Sequence, residues 1–201
     1  MSGYLWSAAF AGGSRVSNSC ETLWRHWETS SANLKFAIPP GSHLEKRSML
    51  LTDLVAPNAI IPALRVNNKK QVLQELAAKA AELSGQSERT ILETLQQREK
   101  LGSTGVGSGV AIPHGKLPKL GKLFGLFARL ERPVDFEALD SQPVDLVFLL
   151  LAPEAAGADH LKALARVARL LREPDVKRKL RESRDAEALY AVLAMPSASA
   201  A

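Results

Sequence analysis

An almost wholly apolar run, Val144–Leu151, restricts the fold of this chain more than any other feature of its sequence. Its only polar residue is Asp145, and its content of valine and phenylalanine favours a β-strand. A strand of this kind is typical of the centre of a sheet that is buried on both faces. A second apolar run, Leu123–Leu130, predicts a further strand.

Segments with helical spacing surround these two strands. Apolar residues recur at helical intervals over Asn68–Leu83, and Gly85 then ends that helix. A second helix begins at Ser87 and ends before Gly102. Three further helices are predicted at His160–Leu171, Asp175–Glu182 and Ala186–Leu193. Strands and helices mixed at these lengths indicate an α/β layered domain.

Length and composition exclude several classes of protein. The chain has 201 residues, which fits one domain with at most an appendage. No apolar run approaches the roughly 20 residues of a membrane-spanning helix, so no membrane insertion is expected. The single cysteine, Cys20, cannot form an internal disulfide, which fits a reducing compartment. The net charge is +5, but the basic residues form no block, so nucleic-acid binding has little support.

Residues 1–48 differ in composition from the rest of the chain. All three tryptophans lie there among many Ser, Gly and Asn residues, and no helical or strand period persists. We interpret residues 1–48 as a poorly ordered extension, or as residues upstream of a true start at Met49. The alternative is a tail that binds a partner through its tryptophans. The domain is then expected over residues 49–195, with a disordered tail at 196–201.

The stretch Leu101–Gly109 contains four glycines and predicts a loop that leads into the short apolar stretch Val110–Ile112, which Pro113 ends before His114 and Gly115. It is not a P-loop, because Val110 and Leu117 stand where a glycine and a Ser or Thr are required. The glycine pattern of dinucleotide-binding proteins and the nucleophile elbow of hydrolases are also missing. The histidines and the lone cysteine form no zinc-binding pattern, so neither a metal nor a cofactor is predicted.

His114 is the candidate nucleophile of this stretch. It stands between Pro113, which fixes φ, and Gly115, which allows the close approach of another molecule. A neutral imidazole is nucleophilic and forms covalent intermediates, including with phosphorus. The preceding loop, with Ser103 and Thr104, offers backbone N–H groups for phosphate oxygens. The alternative is that His114 is simply a turn residue.

Two further residues are predicted to face inward. Helical steps of about 100° place His160 on the apolar stripe of its helix. There it is either a hydrogen-bonded core residue or part of a site. Arg98 falls in line with Ile91 and Leu95 near the end of the second helix. Arg98 either complements the helix dipole or clamps transferring phosphoryl oxygens.

The segment Arg98–Lys116 strongly resembles the phosphorylation-site segment of the type-2 EIIA domains of the bacterial phosphotransferase system. Three other segments extend this resemblance over roughly residues 50–195: Pro133–Phe136, Pro143–Pro153 and His160–Ala165. Within the family the chain looks most like the nitrogen-regulatory branch. Mannitol-type members tend to carry a glutamate where Ser108 stands in this sequence.

The resemblance implies a single α/β domain with a mixed sheet of about five strands flanked by helices. It implies that His114 accepts a phosphoryl group on Nε2, that His160 is the second active-site histidine and that Arg98 contacts the phosphoryl oxygens. The phosphate-binding loop is expected to include Ser103, Thr104, Gly105 and Gly115. Neither a metal nor another cofactor is implied.

The resemblance also implies partners. The expected donor is a phosphorylated HPr-like carrier (NPr in the nitrogen pathway) downstream of enzyme I, in the cytoplasm. The expected targets are regulated proteins such as potassium transporters or sensor kinases. Two alternatives stay open: a fructose- or mannitol-type EIIA that passes phosphate to an EIIB domain, and a regulatory binding module that works without phosphorylation.

Overall fold

The computed structural model of the protein describes residues 51–195, so the expectations for residues 1–48 and 196–201 lie outside the described residues. Six β-strands lie in the described range: β1 (Val55–Leu64), β2 (Gly105–Gly107), β3 (Val110–Ala111), β4 (His114–Leu117), β5 (Phe124–Val134) and β6 (Val144–Pro153). Five α-helices accompany them: α1 (Lys69–Ser84), α2 (Glu88–Lys100), α3 (Ala158–Arg172), α4 (Pro174–Glu182) and α5 (Ala186–Ala194).

The six strands form one mixed sheet in the order β1–β5–β6–β3–β2, and β4 also pairs with β6. β1 runs parallel to β5, and β5 runs antiparallel to β6. β3 and β4 both run parallel to β6, with Val110 opposite Leu146 and His114 opposite Leu150. The chain therefore pairs with one edge of β6 twice in succession, and Pro113 lies between the two short strands.

The central position of β6 confirms the prediction from its apolar run. All residues from Leu146 to Ala152 are buried, as expected for a strand that is covered on both faces. Phe127 on β5 and Phe148 on β6 are among the largest fully buried side chains of the core. The α/β class is confirmed, and the sheet has six strands where about five were expected.

The helix boundaries follow the cap residues seen in the sequence. The Asn68 side chain accepts a hydrogen bond from the Gln71 amide at 2.9 Å and so caps α1. Gly85 adopts φ = 68° after the last turn of α1, a left-handed conformation that glycine adopts without strain. The Ser87 side chain caps α2 in the same way as Asn68 caps α1.

The sequence did not indicate β1 or β4, and β2 lies within a predicted loop. β1 contains Pro57 and Pro62, which cannot donate ladder hydrogen bonds. Among the described strands it pairs only with β5, and it therefore stands at the edge of the sheet, a position where prolines are tolerated. β2 and β3 form a small antiparallel pair whose short length leaves no readable alternation.

The five helices flank the sheet. α1 packs against α2, and α2 lies against β4. α3 and α4 contact β6, while α5 contacts β1. Within residues 51–195, no helix is both long enough and apolar enough to cross a membrane.

Candidate functional site

His114 is the first residue of β4, and both of its ring nitrogens have partners. Nδ1 lies 2.9 Å from the carbonyl oxygen of Ile112, and the Arg98 Nε–H donates to Nε2 at 3.1 Å. A carbonyl can only accept a hydrogen bond, and a guanidinium can only donate one. The neutral ring therefore carries its hydrogen on Nδ1, and the lone pair on Nε2 is directed at Arg98.

Arg98 reaches His114 because α2 lies unusually close to β4. A Cβ atom on Gly115 would stand only 2.5 Å from Cγ2 of Thr94, so only glycine allows this approach. Arg98 follows Thr94 by four residues, which places it on the same face of α2 one turn later. Its Nη1 also donates to the carbonyl oxygen of Gly102 at 3.0 Å, which holds the guanidinium at the end of the helix.

His160 is the second histidine of the site. It is the third residue of α3, a helix that follows β6 after one short turn, and it is only 7% exposed. Its ring centroid lies 5.7 Å from that of His114, with an angle of 48° between the ring planes. Nε2 of His160 is buried and has no hydrogen-bond partner within residues 51–195. The inward direction predicted from helical spacing is therefore confirmed.

Both imidazoles are held in the neutral form more strongly than a free histidine. Burial lowers the pKa of His114 below its ordinary value, and the charge of Arg98 lowers it further. The hydrogen bond that Nδ1 donates to the Ile112 carbonyl opposes this shift without reversing it. Burial also lowers the pKa of His160, with smaller contributions from His114 and Lys116. The site is thus a pair of neutral rings beside one guanidinium.

The loop before His114 has its polar groups paired within the chain. The Thr104 amide and hydroxyl both donate to the carboxylate of Glu99, the hydroxyl at 2.6 Å. The Gly105 amide donates to Oγ of Ser103, and the Ser103 hydroxyl donates to the carbonyl of Phe136. Each of these groups already has a partner within the chain. The binding of phosphate oxygens by Ser103, Thr104 and Gly105 therefore stays a prediction.

The backbone of Gly115 is approached by a different neighbour from the one that the sequence suggested. The sequence favoured the close approach of another molecule, but the near neighbour is Thr94 of the same chain. Gly115 is buried between β6 and α2, and it sets the distance between His114 and Arg98. Its direct contact with phosphate stays a prediction.

The sequence analysis missed Glu99 and Lys69. The Glu99 side chain is 8% exposed and forms an ion pair with the Lys69 ammonium at 2.8 Å. The available signal was the position of Glu99, directly after Arg98 and five residues before a threonine in a glycine-rich loop. A charged residue on the inner side of a helix end needs a buried partner, which the sequence alone does not identify.

A concavity of about 450 Å³ lies elsewhere, between Ser108, Asp140, Asp145 and Arg181 near the start of β6. His114 pairs with Leu150, five residues further along the same strand, which is about 16 Å at strand geometry. The two histidines thus face a separate surface. A neutral ring with one directed lone pair, next to a cation and a second neutral ring, suits the transfer of a group that carries negative oxygens.

Comparisons with known proteins place this arrangement in a family. Residues 53–195 match the family model of the phosphoenolpyruvate-dependent sugar phosphotransferase system, EIIA 2. A nitrogen regulatory protein of Bradyrhizobium diazoefficiens is 75% identical over 153 residues, which are 76% of this chain and 100% of that protein.

Two solved structures are similar as well. The nitrogen regulatory protein IIA-Ntr of Neisseria meningitidis has a TM-score of 0.68 and 36% identity, covering 71% of this chain and 98% of that chain. The mannitol IIA structure of Escherichia coli has a TM-score of 0.60 at 19% identity, covers 69% of this chain and 98% of that chain, and shows the likeness of the fold alone. With the family model matching most of its length, the chain belongs to the EIIA 2 family of the phosphoenolpyruvate-dependent sugar phosphotransferase system.

Proposed function

We propose that this protein is a phosphocarrier of the nitrogen-regulatory branch, which accepts a phosphoryl group on Nε2 of His114. Proteins of its family carry phosphoryl groups, and the relative with 75% identity is a nitrogen regulatory protein. The observation that carries the proposal is the hydrogen bond between Nδ1 and the Ile112 carbonyl. It leaves Nε2 as the ring nitrogen with a lone pair.

In the proposed step, the Nε2 lone pair attacks the phosphorus atom of a phosphohistidine on an HPr-like carrier, NPr. A bond forms between Nε2 and phosphorus, and the bond between phosphorus and the donor nitrogen breaks. The electron pair of that bond returns to the donor imidazole, and a donor ring that carries a hydrogen on its other nitrogen then leaves as neutral imidazole. No proton has to leave His114, because its hydrogen is on Nδ1. Such a transfer depends on alignment and charge rather than on covalent chemistry from other residues.

Arg98 and His160 have separate parts in this proposal. In this structure the Nε–H of Arg98 donates a hydrogen bond to the lone pair on Nε2 of His114. Arg98 therefore has to move aside before that lone pair can attack the phosphorus atom. Its guanidinium then neutralises the charge on the phosphoryl oxygens. The buried Nε2 of His160, which has no hydrogen-bond partner among the described residues, lies beside the acceptor ring, where the neutral tautomer with its hydrogen on Nε2 would donate to a phosphoryl oxygen.

The setting of the reaction follows from the same assignment. We propose that the domain at residues 49–195 acts in the cytoplasm and receives phosphate by way of enzyme I and the carrier. The phosphorylation state of His114 then determines which regulated proteins the domain binds. Potassium transporters and sensor kinases are the proposed classes of such proteins. The proposed phosphocarrier role needs no metal and no other cofactor.

The test is intact-mass spectrometry after incubation with enzyme I, an HPr-like carrier and phosphoenolpyruvate. We expect one acid-labile adduct of about 80 Da on the unaltered chain and none on the His114→Ala variant. The His160→Gln variant is the matched control, since it keeps the acceptor and should still gain the adduct, more slowly. An adduct on the His114→Ala variant would contradict the assignment.

The same assay separates the two alternatives. Rapid loss of the adduct to a fructose- or mannitol-type EIIB domain would favour a role in sugar transport. Partner binding that is unchanged both by phosphorylation and by His114→Ala would favour a binding module that works without phosphate. We expect neither result.

A further inference from the structure

We propose that Glu99, anchored by Lys69, is a positioning residue that fixes the orientation and the tautomer of His114. This inference rests on the proposed function, because it assigns a role in the reaction of His114. It is carried by a continuous series of hydrogen bonds that leads from Lys69 to Nδ1 of the ring.

The first link is between Glu99 and Thr104. The Thr104 amide donates to Oε1 at 3.1 Å and to Oε2 at 3.2 Å, and the Thr104 hydroxyl donates to Oε2 at 2.6 Å. Thr104 is only 4% exposed, so water does not replace these bonds easily. Hydrogen bonds to a carboxylate are about twice as strong as bonds between neutral groups. Glu99 therefore holds this residue of the loop firmly.

Lys69 anchors the carboxylate from the other side. Its ammonium lies 2.8 Å from Oε1 of Glu99 and donates to the Phe136 carbonyl at 3.1 Å. Burial alone would lower the pKa of Lys69, but the hydrogen bonds and charges of Glu99 and, to a smaller extent, Glu137 together outweigh burial and raise it. The lysine thus stays charged. The pair ties the first residue of α1 to the last turn of α2.

The next links lead from Thr104 to the ring. The Ile112 amide donates to the Thr104 carbonyl at 2.9 Å. The Ile112 carbonyl in turn accepts the hydrogen bond from Nδ1 of His114 at 2.9 Å. Glu99 therefore fixes Thr104, Thr104 fixes the peptide groups of Ile112, and Ile112 decides which ring nitrogen keeps the hydrogen.

Two neighbouring residues of α2 thus control the two nitrogens of one imidazole. Arg98 contacts Nε2 directly, and Glu99 acts on Nδ1 through Thr104 and Ile112. Their opposite charges also act oppositely on the protonation of His114. A loss of the Glu99 carboxylate would loosen the peptide group of Ile112, and the ring could then shift out of both its hydrogen bonds, the one from Nδ1 and the one that Nε2 accepts from Arg98.

The informative substitution is Glu99→Gln, which keeps the size of the side chain and removes its charge. An amide group offers one oxygen instead of two, and its NH₂ cannot accept the hydrogen bonds of Thr104. Glu137→Gln is the matched control. Glu137 also contacts Lys69, at 3.2 Å, but its side chain is 80% exposed.

The test combines two measurements on the full chain. Nitrogen-15 NMR of labelled histidine reports the tautomer of His114, and transfer from a phosphorylated HPr-like carrier gives the rate. For Glu99→Gln we expect a mixture of both tautomers and a rate about 10- to 100-fold lower, as for a misaligned reacting group. For Glu137→Gln we expect the single Nδ1–H tautomer and a rate within about twofold of the unaltered chain.

A Glu99→Gln variant that keeps the single tautomer and the full rate would overturn the proposal, even if its melting temperature falls. If the single variant does not fold, the double variant Lys69→Met with Glu99→Gln removes the unpaired ammonium, and the same tautomer mixture is expected. If the unaltered chain accepts no phosphate, the proposed function fails. The tautomer comparison would still decide the role of Glu99.

Discussion

At the scale of single residues, the site depends on the different partners of the two ring nitrogens of His114. The Ile112 carbonyl accepts the hydrogen of Nδ1, and Arg98 donates to Nε2. A histidine at a flexible surface turn would exchange between tautomers. Here the backbone fixes one tautomer, and burial keeps the ring neutral at physiological pH.

The Arg98→Ala substitution tests the part of the guanidinium. We expect phosphoryl acceptance to slow by about 100-fold, since one preorganised donor to a developing anion contributes about that much. The melting temperature should change little, because the hydrogen bonds of the Arg98 side chain within residues 51–195 lead to His114 and to the exposed carbonyl of Gly102. Arg89→Ala on the same helix is the control, with a side chain that is 87% exposed. A large fall in melting temperature with an unchanged rate would make Arg98 purely structural.

The two histidines also predict how stability depends on pH. Their pKa values in the folded protein lie below the unfolded value of about 6.5. The folded state therefore binds fewer protons, and the free energy of unfolding should fall as the pH decreases below about 6.5. The lowered pKa of Asp140 makes that carboxylate titrate only at still lower pH.

Urea unfolding at about pH 7.5 and about pH 5.5 measures this dependence. The His160→Gln variant lacks one of the two groups, so it should lose less stability over the same interval. Identical losses in the unaltered chain and the variant would show that His160 does not contribute.

Sequence reasoning singled out His114, His160 and Arg98 from local patterns, and the resemblance to the EIIA family then supplied their expected roles. The proline and glycine beside His114 and the helical spacing of the other two can be read directly from the chain. Glu99 could not be found in this way, because its role depends on a lysine 30 positions earlier and on the fold of a glycine-rich loop. Long-range polar pairs leave no periodic signal.

At the scale of secondary structure, the close packing of α2 on β4 brings Arg98 to His114. Gly115 faces Thr94 at a distance that leaves no room for a side chain. The strand itself was not predicted, since a four-residue element that begins after Pro113 is too short to show alternation. β1 was missed for the different reason that its two prolines are tolerated only at a sheet edge.

The Gly115→Ala substitution tests this packing. The added methyl group would stand 2.5 Å from Cγ2 of Thr94, so we expect the free energy of unfolding to fall by about 1–3 kcal/mol. Thr94→Ser removes that methyl group and keeps the hydroxyl that donates to the Thr90 carbonyl. In the double variant that carries both Gly115→Ala and Thr94→Ser, much of the lost free energy of unfolding should be regained.

Gly121→Ala is the matched control for this series. Apart from its two chain neighbours, no described residue has an atom within 4 Å of a Cβ at Gly121, so the effect on the free energy of unfolding should stay within about 0.5 kcal/mol. If Thr94→Ser restores no stability in the Gly115→Ala background, the contact between α2 and β4 does not cause the loss.

At the scale of the whole molecule, the described residues build the site from one core. The core cluster extends from Leu51 in the first turn to Leu193 in α5, and it includes residues of every helix. The apolar run of β6 predicted the layered class and the central strand. The order of the strands could not be predicted, because it depends on which short segments pair with the edges of β6.

Deletion of residues 1–48 tests the proposed domain limits. We expect the chain that begins at Met49 to fold and to accept phosphate at the same rate. Its melting temperature should differ by no more than about 2 °C, which corresponds to about 0.5 kcal/mol for a domain of this size. Loss of folding or of transfer would show that the domain extends into the first 48 residues.

The central claim is that the backbone leaves Nε2 of His114 as the only ring nitrogen able to accept the phosphoryl group. NMR of the phosphorylated protein with nitrogen-15 in its histidines tests this claim most directly. We predict that phosphorus couples to Nε2 and that the hydrogen on Nδ1 is retained, because the Ile112 carbonyl still accepts it. A phosphoryl group on Nδ1 of His114, or on His160, would contradict the account.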